Sequence, residues 1–289
     1  MGCVTTTPSR AGSSGDDRLA LCYHAVSDGW ASHLSVPTGA FETQLRSLGA
    51  RGYRSVGFTE LVNGPRQTGR VVAVTFDDGY RSVLQHAFPI LERLGMTATV
   101  FVPTDYVDSG EPATWPGMEQ WVGTPQANEL ELLTWDELRT LASAGWEVGS
   151  HTRSHRRLIE LDEDELDAEL RGSRLICEER LQLPCRSLAY PYGAFGTDVD
   201  QSTAEAAAKA GYEAAGTVPR RLWPVDPLLW PRVAVGAADS GVTFHAKISP
   251  WVRRFRATRA WPALSAPRRI VRDRIVEAPE RAVTGRQDP

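Results

Sequence analysis

The chain lacks several features that mark common classes of protein. No run of about 18 apolar residues occurs, and a transmembrane helix needs roughly that length. There are four cysteines and no CxxC pair, which argues against a zinc ribbon or a thioredoxin-type motif; they are Cys3, Cys22, Cys177 and Cys185. Residues 1–18 are polar and small and lack the apolar stretch of a secretory signal. We therefore expect free thiols, and a protein that is cytoplasmic or peripheral to a membrane.

Lysine is also scarce, because it occurs at only two positions and arginine supplies the remaining positive charge. The net charge of -4 at pH 7 is mild and does not indicate a nucleic-acid partner. Residues 251–289 differ from the rest, since they hold ten Arg against four Asp or Glu. Trp251, Phe255 and Trp261 lie among these arginines, a pattern typical of a helix that binds peripherally to anionic lipid. A solvated basic tail is the alternative.

The length and composition fit one large domain, since 42% of the 289 residues are hydrophobic. The sequence predicts a disordered tail at residues 1–18, a folded domain at 19–250 and a basic tail at 251–289. Strands and helices alternate, with the longer helices at residues 80–94 and 162–183. About seven strands are predicted, at residues 19–26, 71–74, 97–102, 146–150, 187–190, 212–218 and 228–235. This alternation favours a parallel, barrel-like α/β fold.

Two adjacent carboxylates, Asp77 and Asp78, follow the apolar strand 71–74 and precede Gly79. Neighbouring carboxylates repel each other, and a cation relieves that repulsion. One of the pair can then bind a metal while the other stays free to move a proton. A strand that ends in an ordinary Asp-Gly turn is the alternative.

Two histidines four residues apart, His151 and His155, follow the predicted strand 146–150. Neutral imidazole together with carboxylate suits zinc, with cobalt, nickel or iron as alternatives. A site of two histidines and one carboxylate leaves positions open for water and substrate, as a catalytic metal requires. A polar loop is the alternative for the histidine pair alone.

Three short motifs resemble those of a known family. Thr-Phe-Asp-Asp-Gly at 75–79, Ser-His-Thr-Arg-Ser-His at 150–155 and Tyr-Pro-Tyr-Gly at 190–193 occur in that order. They are similar to the first three motifs of the polysaccharide deacetylases, also called NodB-homology or carbohydrate esterase family 4 enzymes. The resemblance covers roughly residues 19–236. It implies a distorted (β/α)7 barrel and a metal-dependent hydrolase that removes acetyl groups from sugars, mostly N-acetylglucosamine polymers.

The resemblance also implies roles for individual residues. Asp77 would be the general base, and the metal would be held by Asp78, His151 and His155. The backbone N–H of Tyr192 would stabilise the tetrahedral oxyanion. An aromatic turn is the alternative for this third motif.

The chain departs from the family pattern at the arginine that pairs with the catalytic Asp. Many members have Arg two residues before the proline of the third motif, where this chain has Ala189. Arg186 lies three residues earlier and should face the other side of the strand. Arg232, on the last predicted strand, is the better substitute and would orient Asp77. An ordinary surface arginine is the alternative.

A second departure concerns the general acid. The family usually takes it from a Leu-x-x-His motif near the C-terminus, which only residues 242–245 faintly match. Tyr23-His24, at the end of the first strand, resembles a Tyr-His pair of the poly-N-acetylglucosamine deacetylase branch. We therefore prefer His24 over His245 as the proton donor to the leaving amine. The alternatives are a buried structural histidine and a helix-surface histidine.

Four further side chains are candidates for substrate binding. Tyr190 and Pro191 belong to the third motif, and Trp115 and Trp121 lie in a loop of residues 103–133. A loop of this length in one domain is usually functional or mobile. Both tryptophans could stack on sugar rings or anchor the loop to the barrel, and the sequence does not decide between these two roles.

The leading interpretation is a metal-dependent N-deacetylase of a carbohydrate, with no nucleic-acid partner. One alternative is a hydrolase of a non-sugar amide or cyclic imide on the same fold. Another is a catalytically silent carbohydrate-binding domain, against which Asp77 argues because binding alone needs no free base. The family favours the cell envelope, whereas the missing signal favours the cytoplasm or a membrane surface.

Overall fold

The fold is built on parallel strands. A computed structural model describes residues 17–65, 69–218, 226–239 and 241–256. In these residues the strands are β1 (Asp17–Tyr23), β2 (Ala25–Val26), β3 (Ser35–Val36), β4 (Tyr53–Ser55), β5 (Arg70–Phe76), β6 (Thr99–Val102), β7 (Glu147–Ser150), β8 (Ser187–Ala189), β9 (Ala214–Thr217), β10 (Trp230–Pro231) and β11 (Val233–Ala234). Strands β2 and β3 pair only with each other, and the other nine form one sheet.

Helices connect most of these strands. They are α1 (Thr38–Ala50), α2 (Phe58–Asn63), α3 (Phe88–Arg93), α4 (Trp135–Ser143), α5 (Glu163–Asp167), α6 (Ser173–Leu181), α7 (Gln201–Ala210), α8 (Gly241–Ile248) and α9 (Pro250–Arg256). Two π-helical turns adjoin them, at Val83–Ala87 and Ala168–Gly172. Short 3-10 turns lie at Glu119–Trp121, Ala127–Leu130, Leu158–Glu160 and Pro227–Leu229. No helix among these is long and apolar enough to span a bilayer.

The sheet curls until it nearly closes into a barrel. Its order is β10-β9-β8-β7-β6-β5-β1-β11, every pairing is parallel, and β4 adds to β5. The segment 230–234 begins against β9 at one edge and ends against β1 at the other. Between its two short strands lies Arg232, whose N–H donates to the carbonyl of Thr217 at 2.9 Å. The predicted barrel is confirmed, and the predicted last strand is broken at Arg232.

Alternate residues of the strands serve two different cores. Along β5, Val72 and Val74 belong to the large hydrophobic cluster shared with the surrounding helices. Val71 and Ala73 belong to a smaller cluster with the strand residues Ala20, Phe101, Ala189 and Ala214. The four alanines of this second cluster suit the interior of a narrow barrel. Both faces of β5 are buried, which explains its continuous apolar run.

The structure shifts the predicted tail boundaries. Asp17 and Arg18 are not in a tail, because they form the start of β1. Residues 251–256 belong to α9, and Arg253 pairs there with the carboxylate of Asp17. Residues 1–16 and 257–289, which make up the rest of both predicted tails, lie outside the described residues. The predicted membrane contact of the C-terminal tail therefore stays a prediction.

The two long predicted helices are interrupted. The first becomes the π turn Val83–Ala87 followed by α3, which has a proline in its first turn. The second becomes α5, the π turn Ala168–Gly172 and α6. Hydrophobic periodicity alone does not distinguish these turns from α-helix. Cys22, Cys177 and Cys185 are buried free thiols, as expected, and Cys3 lies outside the described residues.

Candidate active site

The turn after β5 directs two adjacent carboxylates into the mouth of the barrel. Asp77 and Asp78 are each 3% exposed. The N–H of Asp77 donates to the carbonyl of Tyr23 on β1 at 2.9 Å, which extends the strand pairing to the carboxylate itself. Asp78 and Gly79 then take φ angles of 69° and 70°. A Cβ on Gly79 would lie 2.8 Å from Cγ1 of Val102, so this tight turn requires glycine.

Asp78 meets both histidines of the second motif. Its Oδ1 lies 3.3 Å from Nε2 of His151 and 3.3 Å from Nε2 of His155. The three side chains are buried, and their candidate ligand atoms lie within 4.8 Å of one another. Nδ1 of His151 donates to the carbonyl oxygen of Ala189 at 2.7 Å, so Nε2 is the ring nitrogen that faces Asp78.

This donor set fits a divalent metal. Asp78 Oδ1 is buried and has no hydrogen-bond partner, although two imidazole nitrogens face it. Burial disfavours the charged form of Asp78, but the two imidazoles outweigh burial and hold the pKa of the carboxyl well below its usual range. An ionised carboxylate and two imidazoles directed at one point form the set that zinc and similar ions bind.

Asp77 has a different environment, dominated by Arg232. Nη1 and Nη2 of Arg232 donate to Oδ1 and Oδ2 of Asp77 at 2.6 and 2.7 Å. Burial disfavours the charged form of Asp77, but the guanidinium outweighs burial and lowers the pKa of the carboxyl. Arg232 is buried, which excludes the alternative of a surface arginine. A Cβ at position 216 would lie 2.5 Å from Nε of Arg232, so Gly216 leaves space for the side chain.

Two further groups complete the surroundings of Asp77. Nη1 of Arg232 also donates to Oγ1 of Thr75 at 3.0 Å. The thiol of Cys22 donates to Oδ2 of Asp77 at 3.3 Å. Sequence reasoning missed Cys22, although its position two residues before His24 on an alternating strand was a usable signal. Arg186 is exposed and pairs loosely with Glu213 at 3.7 Å, whereas Ala189 is buried, which agrees with the expectation that the two face opposite sides of the strand.

His24 lies next to this carboxylate, and His245 does not. The half-buried His24 follows β1, and its nearest ring nitrogen is within 4.8 Å of ligand atoms of Cys22 and Asp77. His245 lies on α8 beside the ring of Phe244. It belongs to neither of the two clusters of metal-ligating side chains that occur among the described residues. His24 therefore lies close to Asp77, and its role as proton donor stays a prediction.

The third motif forms one wall of the site. Tyr190 is 1% exposed, and its hydroxyl donates to the carbonyl of Leu228 at 2.9 Å. Tyr192 has a φ of 61°, and its ring centroid lies 5.0 Å from that of His155. The guanidinium of Arg157 lies 4.1 Å from the centroid of the Tyr192 ring, an interaction that the sequence did not suggest. Pro191, which lies between these tyrosines in the sequence, is buried. The substrate-binding role of Tyr190 and Pro191 stays a prediction.

The long loop is anchored by its tryptophans. Trp115 is 5% exposed and stacks on His155, with ring centroids 4.4 Å apart and planes inclined by 22°. Trp121 packs against Trp30 at 5.9 Å. Both side chains join a hydrophobic cluster that also contains Tyr80. They therefore attach the loop to the barrel, and their stacking on sugar stays a prediction.

Comparisons with known proteins agree with this architecture. The family model described as Polysaccharide deacetylase matches residues 64–215. YxkH of Bacillus subtilis (strain 168), named for that family, is 27% identical over 234 residues, which are 79% of this chain and 75% of YxkH. The poly-beta-1,6-N-acetyl-D-glucosamine N-deacetylase of Staphylococcus aureus (strain MSSA476) is 23% identical over 220 residues, 67% of this chain and 71% of that protein.

A solved structure shows the same fold. IcaB from Ammonifex degensii superposes with a TM-score of 0.61 and 26% sequence identity, over 84% of this chain and 98% of IcaB. The family model alone covers more than half of the 289 residues. The chain therefore belongs to the polysaccharide deacetylase family, and its enzyme class is that of the family.

Proposed function

We propose that the enzyme hydrolyses N-acetyl groups on a polysaccharide that contains N-acetylglucosamine, with a divalent metal, most readily zinc, in the site. The observation that carries this proposal is the contrast between two adjacent carboxylates. Asp77 forms a bidentate ion pair with Arg232. Asp78 instead directs an oxygen without a hydrogen-bond partner, Oδ1, toward two imidazoles. One carboxylate is thus available for a proton and the other for a metal.

Asp78, His151 and His155 would hold the metal. When bound, a divalent ion supplies Lewis acidity, which polarises the acetyl carbonyl and lowers the pKa of bound water. The hydrogen bond from Nδ1 of His151 to the Ala189 carbonyl fixes the orientation of that ring toward Asp78. The stacked Trp115 restricts the ring of His155 in the same way.

Asp77 would accept the proton of the attacking water. Its lowered pKa keeps the carboxylate ionised at neutral pH, so that it can act as a base. Arg232 binds both carboxylate oxygens and so fixes the orientation of the Asp77 side chain.

The remaining steps need a proton donor and a site for developing negative charge. An amine cannot leave as an anion, so the leaving nitrogen must be protonated as the carbon–nitrogen bond breaks. We assign this proton to His24 because it lies beside Asp77. The backbone N–H of Tyr192 would stabilise the tetrahedral oxyanion.

The substrate class rests on the relatives and on the loop. The Staphylococcus aureus relative is named as a poly-beta-1,6-N-acetyl-D-glucosamine N-deacetylase. The loop of residues 103–133 adds an aromatic-rich wall next to His155, which suits an extended substrate. A binding module has no need of the buried pair of Asp77 and Arg232, because desolvating two charges is costly. A small cyclic imide or other non-sugar amide is the competing substrate class.

The test measures amine release from N-acetylglucosamine oligomers by zinc-loaded protein. We expect Asp77→Asn to abolish turnover while bound zinc stays stoichiometric. Asp164→Asn, an identical change at an exposed position on α5, serves as the control and should keep wild-type turnover. No amine from the zinc-loaded wild-type protein would reject this substrate class and favour small amides.

A further inference from the structure

The loop after β7 holds its histidines through an unusual backbone. Thr152 and His155 have φ angles of 67° and 60°, in the left-handed region that residues with side chains rarely adopt. Both lie in the segment 151–155, which carries two of the three candidate metal ligands. Such conformations persist only where neighbouring groups enforce them.

One face of this loop is held by hydrogen bonds to the segment after β6 and to the last residue of β7. The N–H groups of Thr104 and Asp105 donate to the carbonyls of Thr152 and Arg153 at 3.1 and 2.9 Å. The N–H of Thr152 donates to the hydroxyl oxygen of Ser150 at 3.0 Å. These bonds leave the N–H groups of the two residues just before His155 to be satisfied from the opposite side.

A single buried carboxylate satisfies them. Glu169 is 7% exposed. Its Oε2 accepts the N–H groups of Arg153 and Ser154 at 2.8 and 3.0 Å, and its Oε1 accepts the hydroxyl of Ser154. All three donors belong to the histidine loop, so the carboxylate bonds to this segment rather than to its own helix.

The helix that carries Glu169 departs from regular α-helix at this residue. Glu169 lies in the π turn Ala168–Gly172, and π turns within helices often occur at functional sites. At the end of the turn, a Cβ on Gly172 would lie 2.9 Å from Cδ of Arg153. Gly172 therefore lies directly against the side chain of Arg153 in the histidine loop.

We infer that Glu169 is a positioning residue that sets the metal affinity of the site by holding the loop of His151 and His155. The inference rests on the proposed function, because it takes these histidines as metal ligands. Without the carboxylate, two buried N–H groups lose their acceptor, and the strained backbone before His155 loses its support. The imidazole is then no longer directed at Asp78 before the metal arrives.

The test uses the full chain and measures zinc affinity by competition with a chromophoric chelator. Glu169→Gln keeps the shape but removes the charge, so its single amide oxygen accepts the two backbone N–H groups more weakly than the carboxylate does. We expect its zinc affinity to fall by about tenfold or more, as losses of outer-shell support usually do. Turnover at saturating zinc should fall much less. Glu163→Gln, the same change at an exposed position on α5, should bind zinc as the wild type does.

Two further variants make every outcome decisive. Glu169→Asp keeps the charge but shortens the side chain, and it replaces the Gln variant if that protein does not fold. If the folded variants at position 169 bind zinc within twofold of wild type, the inference is wrong even where melting temperatures fall. If Asp78→Asn binds zinc as tightly as wild type, the metal site itself is wrong and both proposals fail.

Discussion

At the scale of single residues, the site separates two carboxylates that are chemically the same. Asp77 and Asp78 are neighbours in the chain, yet one meets a guanidinium and the other meets two imidazoles. The left-handed φ of Asp78 turns its side chain away from that of Asp77. Environment rather than residue type thus decides which carboxylate can carry a proton and which can bind a cation.

The two-pronged contact of Arg232 leads to a prediction about lysine at that position. Arg232→Lys keeps the charge but lacks the planar pair of N–H donors that binds both oxygens of Asp77. We expect the variant to fold and its kcat to fall. The loss should be smaller than the roughly 10²–10⁴-fold that a general base contributes. The amount of bound zinc should not change, since the hydrogen bonds of Arg232 go to Thr75 and Asp77 and not to the candidate metal ligands.

The control for this variant is Arg186→Lys, because Arg186 is exposed and its pairing with Glu213 is weak. Its kcat should equal that of wild type. Wild-type kcat in Arg232→Lys would show that the orientation of Asp77 does not limit the reaction.

At the scale of elements, contacts at the amino ends of the strands lie at the end of the barrel opposite to the candidate active site. Helix α9 lies against the start of β1, where the guanidinium of Arg253 meets the carboxylate of Asp17 and donates to the carbonyl of Arg18 at 3.2 Å. The hydroxyl of Tyr53 donates to the same carboxylate from β4. Three elements therefore converge on Asp17, at the end of β1 opposite to His24.

Removing this contact should affect stability alone. We expect Arg253→Ala to lower the free energy of unfolding by about 1–2 kcal/mol, the usual loss for hydrogen bonds between partly buried charged groups. For a domain of this size, each kcal/mol corresponds to a fall of about 2–4 °C in Tm. Circular dichroism measures the change. Arg254→Ala, at an exposed position of the same helix, should melt as wild type does.

A simultaneous loss of zinc-loaded turnover in Arg253→Ala at temperatures well below Tm would contradict this separation of stability from chemistry.

The same scale shows what could be predicted from the sequence. The capping box of Thr134 and Glu137 and the buried run of β5 are local patterns, and such patterns identified most elements. The break at Arg232 was not predictable, because it depends on which strand edges the segment meets. The π turn around Glu169 was not predictable either, since hydrophobic periodicity does not distinguish it from α-helix.

At the scale of the whole molecule, the barrel assembles the site from distant parts of the chain. Asp77 and Arg232 are 155 positions apart, and Asp78, His151 and His155 come from two different strand ends. The positions of the motifs at strand ends predicted that these side chains lie close together, because parallel strands place their carboxyl ends together. Their role as metal ligands came from the family resemblance and stays a prediction. The packing of Trp115 on His155 could not be predicted, since nothing local fixes the path of a long loop.

Metal binding should stabilise the whole fold, because the three ligands join two strand ends. Zinc at about 100 times its Kd adds about 2.7 kcal/mol to the free energy of unfolding if only the folded state binds it. We expect Tm to rise on adding zinc and to return to its starting value on chelation. Differential scanning calorimetry measures both changes.

Asp78→Asn is the matched variant for this experiment, because it keeps the size of the side chain and removes the charge that faces both histidines. Its Tm should not respond to zinc. An equal zinc response in wild type and Asp78→Asn would place the stabilising ion elsewhere.

The closure of the sheet at residues 230–234 has a consequence during protein synthesis. A nascent chain that has emerged only as far as β9 already contains Asp77, Asp78 and both histidines of the second motif. It lacks the segment that joins β9 to β1 and, with it, the guanidinium of Arg232. We therefore expect a chain that ends after β9 to contain all three candidate metal ligands while it lacks the guanidinium that orients Asp77.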